Sequence, residues 1–196
     1  MKPQLIQFVC FETTLAVGTF LKGWSSFAQS FVAQGIERIV LAEATRREAP
    51  FGFISRNAWP AAQFEATFGG RLPRDAGSGP VMAVQGGAFR EQAGAGVDPL
   101  MVRGAVAKVM ALVQHAGEGP ATALQRLALD FERGEGWALY HRDPSARGGT
   151  FDSVLEVYVP PEAAPETERA LKHTLSQEVG LGRVVVQGLR EVFALP

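Results

Sequence analysis

Arg56, Glu156 and Tyr158 come closest to a chemical constellation in this chain. Arg56 lies in the run Phe51 to Trp59, where Phe51, Phe53 and Trp59 fall on one parity and Ile54, Arg56 and Ala58 on the other. A strand turns alternate side chains to opposite faces, so Arg56 points away from the aromatic face. In the run Thr150 to Val159 the apolar parity is Phe151, Leu155, Val157 and Val159, leaving Asp152, Val154, Glu156 and Tyr158 opposite. A buried carboxylate facing an arginine can bind a polar ligand or act as an acid–base pair. The plainer reading is a structural ion pair or a solvated rim, because such pairs shift ionisation without doing chemistry.

The other reactive residue types are isolated. His115 and His141 lie near the ends of apolar runs, where a pocket mouth would open, and His141 joins Arg56, Glu156 and Tyr158 as a candidate pocket residue. His173 sits in a helical stretch among Glu168, Arg169 and Lys172 and reads as exposed. Neither an H-E-x-x-H nor a two-His-one-carboxylate spacing occurs, so no metal site is expected. Cys10 is the single cysteine, which excludes an intrachain disulfide, and its apolar run makes a buried thiol the default. Gly77-Ser-Gly79 and Gly94-Ala-Gly96 lack a following Lys-Ser/Thr and precede no helix, so they read as loops rather than phosphate cradles.

Elements that would position these residues follow from periodicity. Residues 5–11 are short, apolar and strand-like. Phe20, Trp24, Phe27 and Phe31 then recur at helical spacing, which predicts one aromatic face packed in the core, and Gly35 follows as a stop. Strands are predicted at 36–44 and 51–59 as an antiparallel hairpin, a short helix from Pro60 to Phe68, a loop at 69–80, and a strand at 81–90. Residues 91–100 read as a linker. After it come strand 105–113, a helix opened by Pro120 with Leu124, Leu127 and Phe131 on one face, strands 136–141 and 150–159, a helix over 164–179 and strand 183–193.

The two halves repeat one order, βαββαβ. A shift of 100 positions brings Trp24, Phe27, Ala28 and Phe31 onto Leu124, Leu127, Ala128 and Phe131, Pro60 onto Pro160, and Arg56 onto Glu156. Such a unit lays two helices on one face of a four-stranded antiparallel sheet and leaves the other face bare. The strands Val81 to Val84, Val106 to Val113 and Val184 to Val186 are apolar on both parities, so the bare faces need cover, and the other half's sheet is the available one. The expected fold class is α+β: tandem ferredoxin-like βαββαβ repeats, 1–92 and 101–196, with antiparallel four-stranded sheets packed face to face as a pseudo-dimeric barrel. This pattern resembles the dimeric α+β barrel superfamily, which includes small monooxygenases, haem-handling proteins related to chlorite dismutase, EthD-like proteins and stress-responsive barrels.

The resemblance implies a small-molecule-binding or monooxygenase-like protein. Its alternative is a non-catalytic structural or protein-interaction barrel. No motif selects an activity, a substrate or a cofactor; a haem would require one of the lone histidines as its axial ligand. Nineteen basic against 20 acidic residues give no field to steer the chain to nucleic acid or an anionic membrane. No apolar stretch reaches the roughly 18 residues of a membrane span. A cytoplasmic address, a small-molecule ligand and a capacity to oligomerise are the corresponding expectations.

Overall fold

A computed structural model of the chain describes residues 4–95, 107–116, 124, 127, 136–178 and 180–195. It divides into two compact units. The first comprises residues 1–90, 143–150 and 191–196, the second residues 91–142 and 151–190.

In the first unit, β1 (Gln4–Thr13), β2 (Arg38–Ala44), β3 (Phe53–Pro60), β4 (Ala76–Ser78) and β5 (Val81–Ala95) alternate with α1 (Val17–Ala33) and α2 (Ala61–Phe68). The strand order is β2-β3-β1-β5-β4, antiparallel throughout. Phe53 and Trp59 face the helices, whereas Arg56 pairs in register with Phe8 on one side and Val40 on the other. Phe20 stacks on Phe53 at 4.2 Å, and Trp59 meets Phe31, Phe64 and Phe68 edge-on. Burying each such aromatic contributes about 2–3 kcal/mol. The helical stripe is narrower than its spacing suggests: Phe20, Trp24 and Ala28 are buried, but Phe27 is 54% exposed. Phe27 lies at the edge of that face and leans on Phe31 instead, 4.7 Å away.

The second unit holds β6 (Ala107–His115), β7 (Gly136–Arg142), β8 (Ser153–Val159), α3 (Ala164–Gln177) and most of β9 (Leu181–Leu195). Its order is β9-β6-β8-β7, again antiparallel. Ala164, Leu171 and Leu175 of α3 pack with Val109, Ala111, Leu155 and Val157. Leu124 and Leu127 are helical and belong to the same cluster. Pro120 and Phe131, expected in that helix, lie outside the described residues.

Three stretches depart from expectation. Inside the expected loop 69–80, β4 (Ala76–Ser78) pairs with β5, so Gly77 is a strand residue. Glu91 to Ala95 is not linker but the continuation of β5, and Gly94 is therefore a strand residue rather than part of a loop. Ala93 packs against the second core, so the segment has apolar burial to offset its ordering. Gly94 tolerates the close approach there, since a Cβ would come within 3.1 Å of the Trp137 carbonyl. Gly96 and the rest of the expected linker lie outside the described residues. Likewise β9 runs to Leu195, with Val192, Phe193 and Leu195 on the first core and Phe193 edge-on to Trp24 at 5.1 Å.

Candidate functional site

On the helix-free side of the second sheet, four polar side chains meet. β8 places Glu156 and Tyr158 two residues apart on that face, while Lys108 pairs in register with Tyr158 and Ala138 with Glu156. The Glu156 carboxylate is fully buried, and Oε2 accepts hydrogen bonds from the hydroxyls of Tyr158 at 2.8 Å and Tyr140 at 3.1 Å. Its Oε1 lies 3.2 Å from Nζ of Lys108, which also sits 5.3 Å from the Tyr158 ring centre. The second sheet thus carries a buried anion, a buried cation and two phenols in one contiguous group.

Energetics make this arrangement unusual. Taking two charges out of water costs several kcal/mol each, and apolar residues of the same volume would often stabilise the fold as well or better. The site can nevertheless accept or release a proton, because a carboxylate with two phenolic donors offers both an acceptor and O–H groups within hydrogen-bond reach.

Arg56 belongs to the first unit, where its side chain is 3% exposed and Nη2 lies 3.7 Å from Oε1 of Glu191. His141 lies at the end of β7 in the second unit and joins a chain that the sequence did not reveal. Its Nδ1 is 2.7 Å from Oγ of Ser153, which is in turn 2.9 Å from Nε2 of His115. A serine hydroxyl has one proton, so it donates to one imidazole and accepts from the other. Asp152 secures the neighbourhood by accepting the His115 backbone N–H at 2.8 Å and pairing with Arg142 at 3.3 Å. Burial holds both histidines below their ordinary pKa; for His115 the opposing pull of Asp152 is smaller, and for His141 the proximity of His115 adds to the shift. Both rings are therefore neutral at pH 7.

Three of the four imidazole nitrogens are closed to an axial iron. An axial nitrogen needs open space for iron, whereas Nε2 of His141 is buried, and Nδ1 of His141 and Nε2 of His115 are both engaged by Ser153. Among the described residues no group of three or more His, Cys, Asp or Glu side chains is placed to hold a metal ion. His173 is exposed, and Cys10 is a buried thiol outside any disulfide.

Sequence reasoning found Glu156 and Tyr158 but missed Lys108, Tyr140 and Ser153. The available signal was Lys108 itself, a lone cation inside the apolar run Val106 to Val113. A lysine that a strand turns inward requires a buried anion beside it.

No protein-family model matches the chain, and no curated protein matches it in sequence. Solved structures do. An anthrone oxidase-like protein superposes with a TM-score of 0.63 at 11% identity, over 100% of this chain and 93% of its own. A protein provisionally named a monooxygenase from Fusobacterium nucleatum subsp. nucleatum gives 0.56 at 8% identity, over 98% and 94%. A mutant chlorite dismutase from Candidatus Nitrospira defluvii, solved in complex with cyanide, gives 0.51 at 14% identity, over 97% and 92%. Identities this low establish shared fold alone. No helix among the described residues is long and apolar enough to cross a membrane. The structural neighbours of this α+β chain are dimeric α+β barrel proteins, the superfamily its sequence pattern resembles, with the family inside it open.

Proposed function

We propose that this protein is a monooxygenase-like barrel protein that takes a small organic molecule at the Glu156 group and removes a proton from it. The observation that carries the reading is the buried Lys108–Glu156–Tyr140–Tyr158 cluster, which costs folding energy that an apolar replacement would not. Glu156 is the proton acceptor, Lys108 balances its charge, and the two phenols, each donating its one proton to Oε2, hold the carboxylate in place. The tandem repeats 1–92 and 101–196 are the frame of this reading. Supporting them, β5-β1-β3-β2 and β9-β6-β8-β7 are the same order of corresponding strands.

Anthrone is the natural probe, since an anthrone oxidase-like protein shares the fold. Loss of a ring C–H proton gives an electron-rich enolate, and dissolved O2 oxidises it to anthraquinone and water. The expected result is conversion at least about a hundredfold faster than in buffer, the low side of what a positioned base supplies. Conversion at the buffer rate would overturn the assignment to this reaction. The visible spectrum of the same sample reports bound flavin or haem.

A second reading, a non-catalytic interaction protein, draws on α1. Phe27 and Val32 are 54% and 39% exposed there, an apolar surface of the sort that partners cover. Anthrone inert to the protein, together with self-association lost in Phe27→Ser, is the outcome that favours it.

A further inference from the structure

An open cleft of about 400 Å3 lies within the first unit, and no residue of the Glu156 group lines it. Residues 71–75, Gln85 and the loop Gly148–Thr150 line it. These segments are clamped by backbone. Leu72 N–H donates to the Arg147 carbonyl at 2.9 Å, and Arg147 N–H to that of Gly70 at 2.7 Å. Thr150 N–H reaches the carbonyls of Gln85 and Gly86 at 2.9 and 3.0 Å. A β-bulge makes that contact possible: Val9 pairs with Gln85 and Phe8 with Gly87, so Gly86 is the extra residue.

The hydrogen-bonding character of the inner wall can be deduced. Trp59 Nε1 is a donor only, and it donates to Oε1 of Gln7 at 3.1 Å. That fixes the Gln7 amide, whose Nε2 then donates to Oε1 of Gln85 at 3.1 Å. Gln85, 8% exposed, is left with Nε2 as its outward group, and among the described residues that amide nitrogen makes no hydrogen bond. The buried indole thus dictates, through two amides, that the wall offers a donor. The Thr150 hydroxyl makes no hydrogen bond among the described residues either.

The rim has the matching charge. Arg71 and Arg74 line the cleft, and Arg147 adjoins Gly148 and bridges Arg71. All three guanidinium groups are exposed, and none forms an ion pair among the described residues. The opposing carboxylates are Asp75, whose Oδ1 is committed to the Gln85 N–H at 2.8 Å, and Glu65, beside Gly70. Guanidinium forks match the planar or tetrahedral oxygens of carboxylate and phosphate.

We propose that this cleft binds a small oxyanion, a carboxylate or phosphate, with one oxygen on Gln85 Nε2 and its charge met by Arg71 and Arg74. The proposal is independent of the chemistry assigned to Glu156.

Isothermal titration of the full-length protein with inorganic phosphate and, separately, with benzoate tests it. Saturable binding of either probe is expected, weakened at least about tenfold in the Arg71→Gln/Arg74→Gln double variant, equivalent to about 1.4 kcal/mol. Both arginines are exposed, so this variant keeps its fold. Gln85→Glu keeps the side-chain shape and the acceptor for Gln7 but presents an anion to the cleft, and loses binding as well. Phosphate alone binding assigns the site to phosphoryl groups, benzoate alone to carboxylates. Neither probe binding at about 10 mM, a free energy under about 3 kcal/mol, or binding indifferent to the arginine pair, would overturn the proposal.

Discussion

Asp143 carries much of the order of the loop that ends at the cleft. Its backbone N–H donates to the Ala88 carbonyl at 2.9 Å, and its carboxylate, 2% exposed, accepts from the Ser145 N–H at 2.8 Å, the Ser145 hydroxyl and Arg90. Burial pushes the carboxyl up, but the Ser145 and Arg90 hydrogen bonds and the Arg90 charge outweigh it, leaving the pKa below its ordinary 3.8. A group depressed in the fold stabilises fully above its unfolded pKa and loses that contribution as pH falls through the folded one. Asp143→Asn should therefore cost about 1–2 kcal/mol by urea denaturation near neutrality, the range for charge-assisted bonds with one exposed partner. The gap between variant and wild type should narrow below pH 3.8. The histidines add a separate slope. Held below 6.5 in the fold, they favour it fully above that pH, and stability declines as pH drops beneath it.

At the scale of elements, glycines decide where strands and loops can touch. Gly149 has φ +90°, and a Cβ there would lie 2.6 Å from Cα of Gly87. Gly149→Ala should lose about 2–4 kcal/mol in thermal unfolding, combining left-handed strain with a backbone clash that no rotamer relieves. Unchanged stability would mean the loop does not approach β5 as described. Element types and strand parity were legible in the sequence because each follows from local periodicity. Phe53 and Trp59 do face helices, and so do Leu155 and Val157. Strand ends were not legible: Glu91 to Ala95 lacks apolar alternation strong enough to extend β5, Ala194 and Leu195 lie past the expected end of β9, and long-range packing sets those bounds. The polar partners were hidden for a related reason. Gln7 and Gln85 lie 78 positions apart, and no spacing rule joins two glutamines across a sheet.

Over the whole chain, the two units spend their polar residues differently. The first buries a neutral network, Gln7, Ser55, Asn57, Trp59 and Gln85, on its helix-covered face. Such a network costs little where its members satisfy one another, and it leaves Gln85 Nε2 as the donor at the cleft. Both units bury an ion pair off that face, Arg56–Glu191 in the first and Lys108–Glu156 in the second, but the second keeps its helix-covered face largely aliphatic. The two proposals, oxyanion binding in the first unit and proton chemistry in the second, rest on this difference in the helix-covered faces.

Comparing anthrone conversion by wild type and by the Lys108→Met/Glu156→Gln double variant tests that division most directly. In the double variant, the glutamine carbonyl still accepts from Tyr140 and Tyr158, and methionine fills the lysine volume without setting an ammonium against the new amide N–H groups. Stability should stay within about 1–3 kcal/mol of the wild type, the cost of a buried amide without an acceptor set against removal of a buried charge pair, while conversion falls at least about a hundredfold through loss of the base. A folded double variant that converts anthrone at the wild-type rate would contradict a catalytic Glu156.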